Sequence, residues 1–263
     1  MPSFYKYHGA GNDFIVIDNR KGFFDDSNLE KIKLLCHRRF GIGADGILLL
    51  KNPPQKGPPY DFEMVYINSD GSSGSMCGNG GRCIVHFAHN ILKIIKNPKK
   101  IKFLAVDGAH EAQVLKNGKI SLKMRDVEKV DVRNKLPFVC QGTTPHNIMF
   151  VRELEKFPVV SKGRRVRNSD PVGVNVNFVE LKDGIFHVRT YEKGVEDETW
   201  ACGTGATSVA IAAHHFGYLR ENVCNVRMKG GDLTVKFKKA KKGPYKDIWL
   251  IGDAKCVFEG TLT

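Results

Sequence analysis

Short runs of apolar residues alternate with polar turns along most of the chain, and this pattern predicts strands more often than helices. Apolar or alternating runs bounded by glycine or charged residues are typical of strands. On this basis strands are expected at 14–18, 47–51, 62–67, 100–106, 111–116, 119–124, 174–181, 185–192, 225–228, 233–238 and 248–258. The KNG sequence at 116–118 predicts a hairpin turn between two of them.

Three segments carry helical signals instead. In the first, Ser27 and Glu30 have the spacing of a capping box, and Gly41 predicts a left-handed cap after the helix. Two further helices are expected at about 81–95 and 204–216. The last is apolar on nearly every face, so we expect other structure to enclose it.

A Cys-Gly-x-Gly sequence precedes each of the last two helices, starting at Cys77 and at Cys202. Aligning these cysteines also aligns Tyr66 with Tyr191, and strand, polar turn, Cys-Gly-x-Gly and helix follow in the same order in both halves. This similarity predicts an α/β (α+β) protein of two similar lobes related by pseudo-twofold internal duplication. Each lobe would be a curved, mainly antiparallel sheet around a central helix.

The composition is that of a globular protein, with 263 residues and 41% hydrophobic content. We assign 1–117 plus 250–263 to the lobe of Cys77 and 118–249 to the lobe of Cys202. Neither a long uncharged apolar run nor a secretory signal pattern occurs, so a cytoplasmic protein is expected. The 7 cysteines are scattered without a C-x-x-C pair, which fits a reducing compartment and argues against a metal site.

The net charge of +13 comes mostly from basic runs at 93–102, 162–167 and 236–246. Such runs could bind nucleic acid, a membrane surface or anionic solutes. They carry few aromatic residues for base stacking, so we interpret them as solvated turns and edge strands. We expect no nucleic-acid or membrane partner, and a basic nucleic-acid-binding protein is kept as the non-enzymatic alternative.

The two Cys-Gly-x-Gly sequences also have chemical consequences. Glycines let the backbone approach a ligand closely, and unpaired amides at a helix start can hold an anion. The positive end of the helix also makes a thiol there more acidic. One such motif could be packing alone, but the second one favours chemistry. Two thiols on opposite faces of one carbon, beside a held carboxylate, could racemise or epimerise it by acid and base catalysis without a cofactor.

Six motifs in a fixed order extend over nearly the whole chain. They are HGAGNDFIVID at 8–18, GIGADG at 41–46, INSDGSSGSMCGNGGRC at 67–83, TPH at 144–146, GVNVNFVE at 173–180 and RTYEKGVEDETWACGTGA at 189–206. With these motifs the chain resembles the diaminopimelate epimerase family. The resemblance implies an isomerase that converts LL-2,6-diaminoheptanedioate, a small-molecule amino acid, into the meso form on the way to lysine and peptidoglycan precursors. It implies no cofactor and is compatible with a homodimer.

The resemblance also implies roles for individual residues. Cys77 and Cys202 would be the acid/base pair, and His146 and Glu192 would modulate their pKa values. The substrate contacts would be Asn12, Asn68, Gly78, Asn79, Asn175, Glu192, Lys193, Gly203 and Thr204. Taken by themselves, Asn12, Asn68 and His146 are equally typical of turns and loops, so their roles depend on the resemblance.

Three positions depart from the family pattern. Lys193 stands where many members have arginine, Thr144 where asparagine is common, and Gly46 where some members have glutamine. Lysine offers a single point charge instead of a two-pronged carboxylate partner, so we expect effects on affinity and specificity. Proline racemases and hydroxyproline epimerases typically carry histidine where this chain has Asn79. An enzyme of that kind, acting on another amino acid, is kept as the enzymatic alternative.

Overall fold

Two units, each built on a mainly antiparallel sheet, make up the part of the chain that the computed structural model describes, residues 3–133, 135–239 and 243–262. The first, here called the Cys77 unit, comprises the described residues of Met1–Leu122 and Asp253–Thr263. The second, the Cys202 unit, comprises those of Lys123–Gly252.

The strands and helices have the following bounds. The strands are β1 Ser3–Gly9, β2 Asn12–Asp18, β3 Gly46–Lys51, β4 Phe62–Asn68, β5 Ile101–Ala105, β6 Gly108–Val114, β7 Ile120–Lys123, β8 Val130–Arg133, β9 Leu136–Gln141, β10 Thr144–Phe150, β11 Asn175–Lys182, β12 Ile185–Glu192, β13 Asp197–Thr199, β14 Val223–Met228, β15 Gly231–Lys239, β16 Tyr245–Gly252 and β17 Lys255–Thr261. The α-helices are α1 Leu29–Cys36, α2 Gly78–His86, α3 Val159–Ser169 and α4 Gly203–His215.

In the Cys77 unit the strands pair in the order β17-β1-β2-β3-β4-β5-β6-β7. The pairs β2–β3 and β4–β5 are parallel and the others antiparallel. Helix α2 contacts β1, β2, β3, β4 and β6, so the sheet curves around it. Ile32 of α1 packs with Ile15 and Ile47 on the opposite sheet face, which covers that face as well.

The Cys202 unit repeats this arrangement. Its strands pair in the order β8-β9-β10-β11-β12-β14-β15-β16, with β10–β11 and β12–β14 parallel, and β13 adds to one end of β12. Helix α4 contacts strands from β8 to β16, and its residues from Gly205 to Ala213 are buried, so it is enclosed as predicted. Helix α3 packs on the other face against Tyr191.

Both units use the same succession of elements. A hairpin, a helix on the outer sheet face, a parallel strand, an antiparallel strand and a buried helix follow one another in each. The strand that ends each repeat pairs with the first strand of the other repeat. Strand β8, at the end of the first repeat, pairs with β9, and β17, at the end of the second repeat, pairs with β1. The predicted α/β class and the two similar lobes are confirmed.

The strand registers correct the sequence alignment of the two halves by one residue. Leu48 pairs with Tyr66 in the Cys77 unit, and Asn177 pairs with Thr190 in the Cys202 unit. Leu48 lies beside Gly80 of α2, and Asn177 lies beside the matching glycine of α4, so both strand pairs face the buried helix. Tyr191 faces the other way, and the residue equivalent to Tyr66 is therefore Thr190.

The first predicted helix also needs correction. Helix α1 is capped by Asn28, whose side chain accepts a bond from the Lys31 amide at 3.0 Å, and not by Ser27. Gly41 does not adopt the left-handed conformation. A Cβ atom there would lie 1.9 Å from the Leu34 carbonyl oxygen, so this glycine permits a close approach of the loop to the helix.

Other boundaries differ from the prediction. Helix α2 passes into a π-helical turn at Phe87–Ile91, and the apolar run 248–258 contains a break between β16 and β17. The hairpin turn at 116–118 is confirmed between β6 and β7. The prediction missed β1, β8, β9, β10, β13 and α3.

The basic run 162–167 lies in α3, where the prediction was a turn or an edge strand. The run 93–102 leads into β5, whereas 240–242 of the third run lie outside the described residues. Over the described ranges, no helix has the length and apolarity needed to cross a membrane.

Candidate active site

Both predicted catalytic cysteines stand directly before a buried helix. Cys77 is the N-cap of α2 and Cys202 the N-cap of α4, each with an extended backbone. The Gly81 amide donates to the Cys77 carbonyl at 2.8 Å, and the Ala206 amide donates to the Cys202 carbonyl at 2.9 Å. Since both helices begin in the same way, each directs its positive end at a sulfur and favours the thiolate.

The second helical glycine of the Cys202 unit allows the helix to approach the sheet. A Cβ atom on Gly205 would lie 2.6 Å from Asn177 Oδ1 and 3.3 Å from Cys202 Sγ. A side chain at position 205 would therefore not fit between the Cys202 thiol and strand β11. The glycine of the motif therefore brings the helix start against a polar side chain of the sheet.

Asn12, at the start of β2, contacts the Cys77 thiol. Cys77 Sγ donates to Asn12 Oδ1 over 3.4 Å, and Asn79 Nδ2 donates to the same oxygen over 3.2 Å. Asn12 Nδ2 donates to Asp45 Oδ2 over 2.6 Å. The structure thus brings Asn12, Asn79 and Cys77 together as predicted site residues and adds Asp45.

A group of charged residues holds Asp45 in place. Arg38 donates to Asp45 and to Asp13, each at 2.8 Å, and Lys6 pairs with Asp13 at 2.6 Å. Burial alone would raise the pKa of Asp13, but hydrogen bonds from Arg38 and Lys6 bring this pKa down to about 2. These ion pairs join the β1–β2 hairpin to the loop of the GIGADG motif and direct the Asp45 carboxylate at Asn12.

Arg82 of α2 is fully buried under the Cys77 loop. Its guanidinium donates to Asn79 Oδ1 at 2.9 Å, to the Gly78 carbonyl at 3.2 Å and to the Asp253 carbonyl at 3.4 Å. Burial lowers the pKa of Arg82. We did not predict Arg82 or Asp45, although Arg82 follows Asn79 at the helical spacing of three residues that brings two side chains together.

The Cys202 sulfur has a different set of neighbours. The Gly205 amide donates to Cys202 Sγ at 3.4 Å, and Thr204 Oγ1 lies 3.4 Å from the same sulfur. His146 Nε2 lies 3.0 Å from Thr204 Oγ1. His146 is fully buried, and this burial lowers its pKa to about 3, so the ring is neutral near neutral pH.

Two more polar side chains continue this arrangement behind the histidine. Asn177 Nδ2 lies 3.2 Å from His146 Nδ1 and donates to the Asn147 carbonyl at 3.1 Å. The Thr190 hydroxyl donates to Asn177 Oδ1 at 2.9 Å. We did not predict Asn177 or Thr190, and the signal that could have found them is a polar residue at a position where the strand pattern expects a buried one.

The equivalent positions in the Cys77 unit are Phe14, Leu48 and Tyr66. They correspond to His146, Asn177 and Thr190, which stand in the same registers. The row of polar side chains behind Cys202 therefore has an aromatic and aliphatic counterpart behind Cys77.

The remaining predicted residues lie at strand ends. His146 pairs with Asn175 across β10 and β11, and the neighbouring strand β12 ends at Glu192, whose carboxylate accepts from Thr199 at 3.0 Å. Asn175 Oδ1 accepts from the Lys193 amide at 2.8 Å. The Lys193 ammonium donates to the Val172 carbonyl at 2.6 Å.

Asn68 ends β4 and is held by a turn, with its Nδ2 donating to Ser72 Oγ at 3.0 Å. Gly78 and Gly203 are the first residues of α2 and α4. Across the described residues, no group of three or more His, Cys, Asp or Glu side chains is arranged to hold a metal ion.

The arrangement of strands and helices is shared with solved structures of low sequence identity. A PhzF-family phenazine biosynthesis protein from Bacillus anthracis matches with a TM-score of 0.75 at 15% identity, covering 100% of this chain and 99% of that chain. A hydroxyproline epimerase from Agrobacterium vitis matches with a TM-score of 0.65 at 15% identity, covering 98% and 91%. The chain thus has the two-lobed α/β fold of these proteins.

Sequence comparison defines the family more narrowly. The family model described as diaminopimelate epimerase matches residues 4–130 and 138–257. Relatives named diaminopimelate epimerase are 47% identical in Flavobacterium psychrophilum, over 98% of this chain and 99% of theirs, and 40% identical in Chlorobaculum tepidum, over 97% and 99%. The chain belongs to the diaminopimelate epimerase family, as the sequence motifs indicated.

Proposed function

We propose that this protein epimerises LL-diaminopimelate to meso-diaminopimelate by two-base catalysis, with Cys77 and Cys202 as the acid/base pair. The observation that carries the proposal is the occurrence of one thiol at the N-cap of each buried helix, in a chain of this family. One thiolate removes the α-proton and the other thiol protonates the opposite face of the same carbon. The C–H bond broken on one face is replaced by one on the other, so no oxidant or reductant is needed.

The α-hydrogen of an amino acid is weakly acidic, so the carbanion formed after its removal needs stabilisation. Amides of the first turns of α2 and α4 can bind the adjacent carboxylate and spread the developing charge. His146 and Glu192 would modulate the thiols. The predicted substrate contacts are Asn12, Asn68, Gly78, Asn79, Asn175, Glu192, Lys193, Gly203 and Thr204. These roles stay predictions, as do a cytoplasmic location and a homodimer.

Exchange of the α-hydrogen with solvent tests the proposal directly. Incubation with meso-diaminopimelate in deuterium oxide should introduce deuterium at an α-carbon, measured by mass spectrometry. Cys77→Ala and Cys202→Ala should each lose epimerisation by several orders of magnitude. Cys140→Ala, which changes an exposed cysteine, is the matched control. Wild-type protein without exchange, or either alanine variant with near-normal turnover, would refute the scheme.

The fold alone leaves other amino acids open as substrates, because a hydroxyproline epimerase shares it. Family membership favours diaminopimelate. A panel containing proline, 4-hydroxyproline and diaminopimelate isomers should show turnover of diaminopimelate, and preferential turnover of a proline derivative would reverse this choice.

A further inference from the structure

The hydrogen bonds around Cys77 have determined directions. Arg82 can only donate, so the oxygen of the Asn79 amide faces Arg82 and its nitrogen faces Asn12. The Asp45 carboxylate accepts from Asn12 Nδ2, which leaves Asn12 Oδ1 directed at the sulfur. The hydrogen bond from Arg82 and the hydrogen bond to Asp45 therefore both indicate that an acceptor, Asn12 Oδ1, faces Cys77 Sγ. A thiol can donate its hydrogen to this oxygen, whereas a thiolate would place a negatively charged sulfur against an electron-rich oxygen.

The directions around Cys202 are the reverse. The Asn147 carbonyl accepts from Asn177 Nδ2, so the same nitrogen donates to His146 Nδ1. The neutral ring therefore carries its hydrogen on Nε2, which donates to Thr204 Oγ1. The Thr204 hydroxyl oxygen accepts this hydrogen bond, and the hydroxyl donates its own hydrogen to the Cys202 sulfur.

Cys202 Sγ also accepts from the Gly205 amide at 3.4 Å. The sulfur thus receives two donors, whereas Cys77 Sγ faces an acceptor. Hydrogen bonds donated to a charged form favour that form. Both cysteines are N-caps, so the positive end of a helix favours the thiolate at each of them, and the distinction comes from the hydrogen bonds to the sulfurs.

We infer that in the unliganded protein Cys202 rests as the thiolate and Cys77 as the thiol. Two charged groups near Cys77 act in opposite directions, since Arg82 favours a thiolate and Asp45 opposes it through Asn12. Arg82 makes no bond to the sulfur in the described contacts, since its nitrogens donate to Asn79, Gly78 and Asp253. Asn12 Oδ1, by contrast, contacts the Cys77 sulfur directly and accepts its hydrogen, which favours the thiol.

This assignment gives the proposed function a starting state, and in that sense it rests on the proposal above. Cys202 takes the α-proton and becomes a thiol, while the proton on Cys77 moves to the carbon and leaves a thiolate. Arg82 and the start of α2 then stabilise the new charge on Cys77. Asn177 is a positioning residue in this scheme, because it acts on Cys202 only through His146 and Thr204.

Alkylation of the unliganded full-length protein over a range of pH tests the assignment without any substrate. Iodoacetamide labelling at Cys77 and Cys202 is quantified by peptide mass spectrometry. The comparison uses the pH midpoints and not the rates, because Cys202 is only 5% exposed and Cys77 is half-buried. Cys202 should have the lower midpoint, with a thiolate-to-thiol ratio about tenfold higher at equal pH. A midpoint for Cys77 at or below that of Cys202 overturns the inference.

Variants on the two sides should shift the midpoints in opposite directions. Thr204→Val removes a donor and should raise the midpoint of Cys202 alone, whereas Thr204→Ser keeps the hydroxyl and the wild-type midpoint. Asn12→Leu removes the acceptor and should lower the midpoint of Cys77 alone. Shifts of the same sign at both cysteines would contradict the assignment. Deuterium exchange measured on the same samples separates the two proposals, since reversed midpoints in an active enzyme refute only the resting state.

Discussion

His146 lies in the Cys202 unit where Phe14 lies in the Cys77 unit, at the same position of the same strand pairing. Its burial is tolerated because the ring is neutral and both nitrogens are hydrogen-bonded. The sequence predicted His146 only through the family resemblance. It did not predict Asn177 or Thr190, because the partner of a polar strand residue depends on the register of the neighbouring strand. Nor did it predict Arg82, whose charge is typical of a surface residue.

The buried histidine should make stability depend on pH. In the folded protein the pKa of His146 is about 3, whereas its ordinary value is 6.5, so the unfolded chain binds more protons between these values. The free energy of unfolding should therefore fall as the pH is lowered from about 6.5, by up to about 1.4 kcal/mol per pH unit. In His146→Phe, urea unfolding followed at several pH values should show a reduced slope in this range. His215→Phe, at the exposed end of α4, should keep the wild-type slope, and an unchanged slope in His146→Phe would contradict the assignment.

Among the elements, those with clear alternation were predicted close to their observed bounds, as for β12 at Ile185–Glu192. Helix α3 was missed because its many basic residues obscured an apolar face. Val159, Gly163 and Val166 are spaced at helical intervals and face the sheet, with Gly163 against Tyr191. The cap of α1 was misplaced because neighbouring residues of similar capping tendency compete, and only the three-dimensional geometry selects among them.

The two buried helices allow a matched test at equivalent glycines. A methyl group on Gly205 would lie 2.6 Å from Asn177 Oδ1, a side chain that is held by other bonds, whereas one on Gly80 would lie 3.2 Å from the flexible end of Leu48. Gly205→Ala should displace Cys202 and reduce kcat about 100-fold, since misplacement by about 1 Å can cost that much. Gly80→Ala should lose much less. Comparable kcat values for the two variants would show that Asn177 does not constrain the start of α4.

At the scale of the whole molecule, the exchange of final strands links the two sequence repeats. If each repeat used only its own strands, β1 and β9 would each form an open sheet edge. Instead β17, from the end of the second repeat, pairs with β1, and β8, from the end of the first repeat, pairs with β9. Open edges are sites of aggregation, so the exchange protects both hairpins. Internal duplication is visible in the sequence, but the pairing of these short strands depends on contacts between residues far apart along the chain, which no local pattern records.

Removal of β17 should affect the two units differently. Strand β17 pairs with β1 from Ser3 to His8, and Phe258 packs edge-on against Phe4. A chain ending at Ala254 keeps the Asp253 carbonyl that Arg82 binds, but it should lose amide hydrogen-exchange protection in β1. Strand β9 should stay protected, because its partners β8 and β10 remain. Val257→Thr, which changes an exposed side chain of β17, should leave both strands protected. Hydrogen-exchange mass spectrometry that finds equal loss in β1 and β9 would show instead that the two units unfold together.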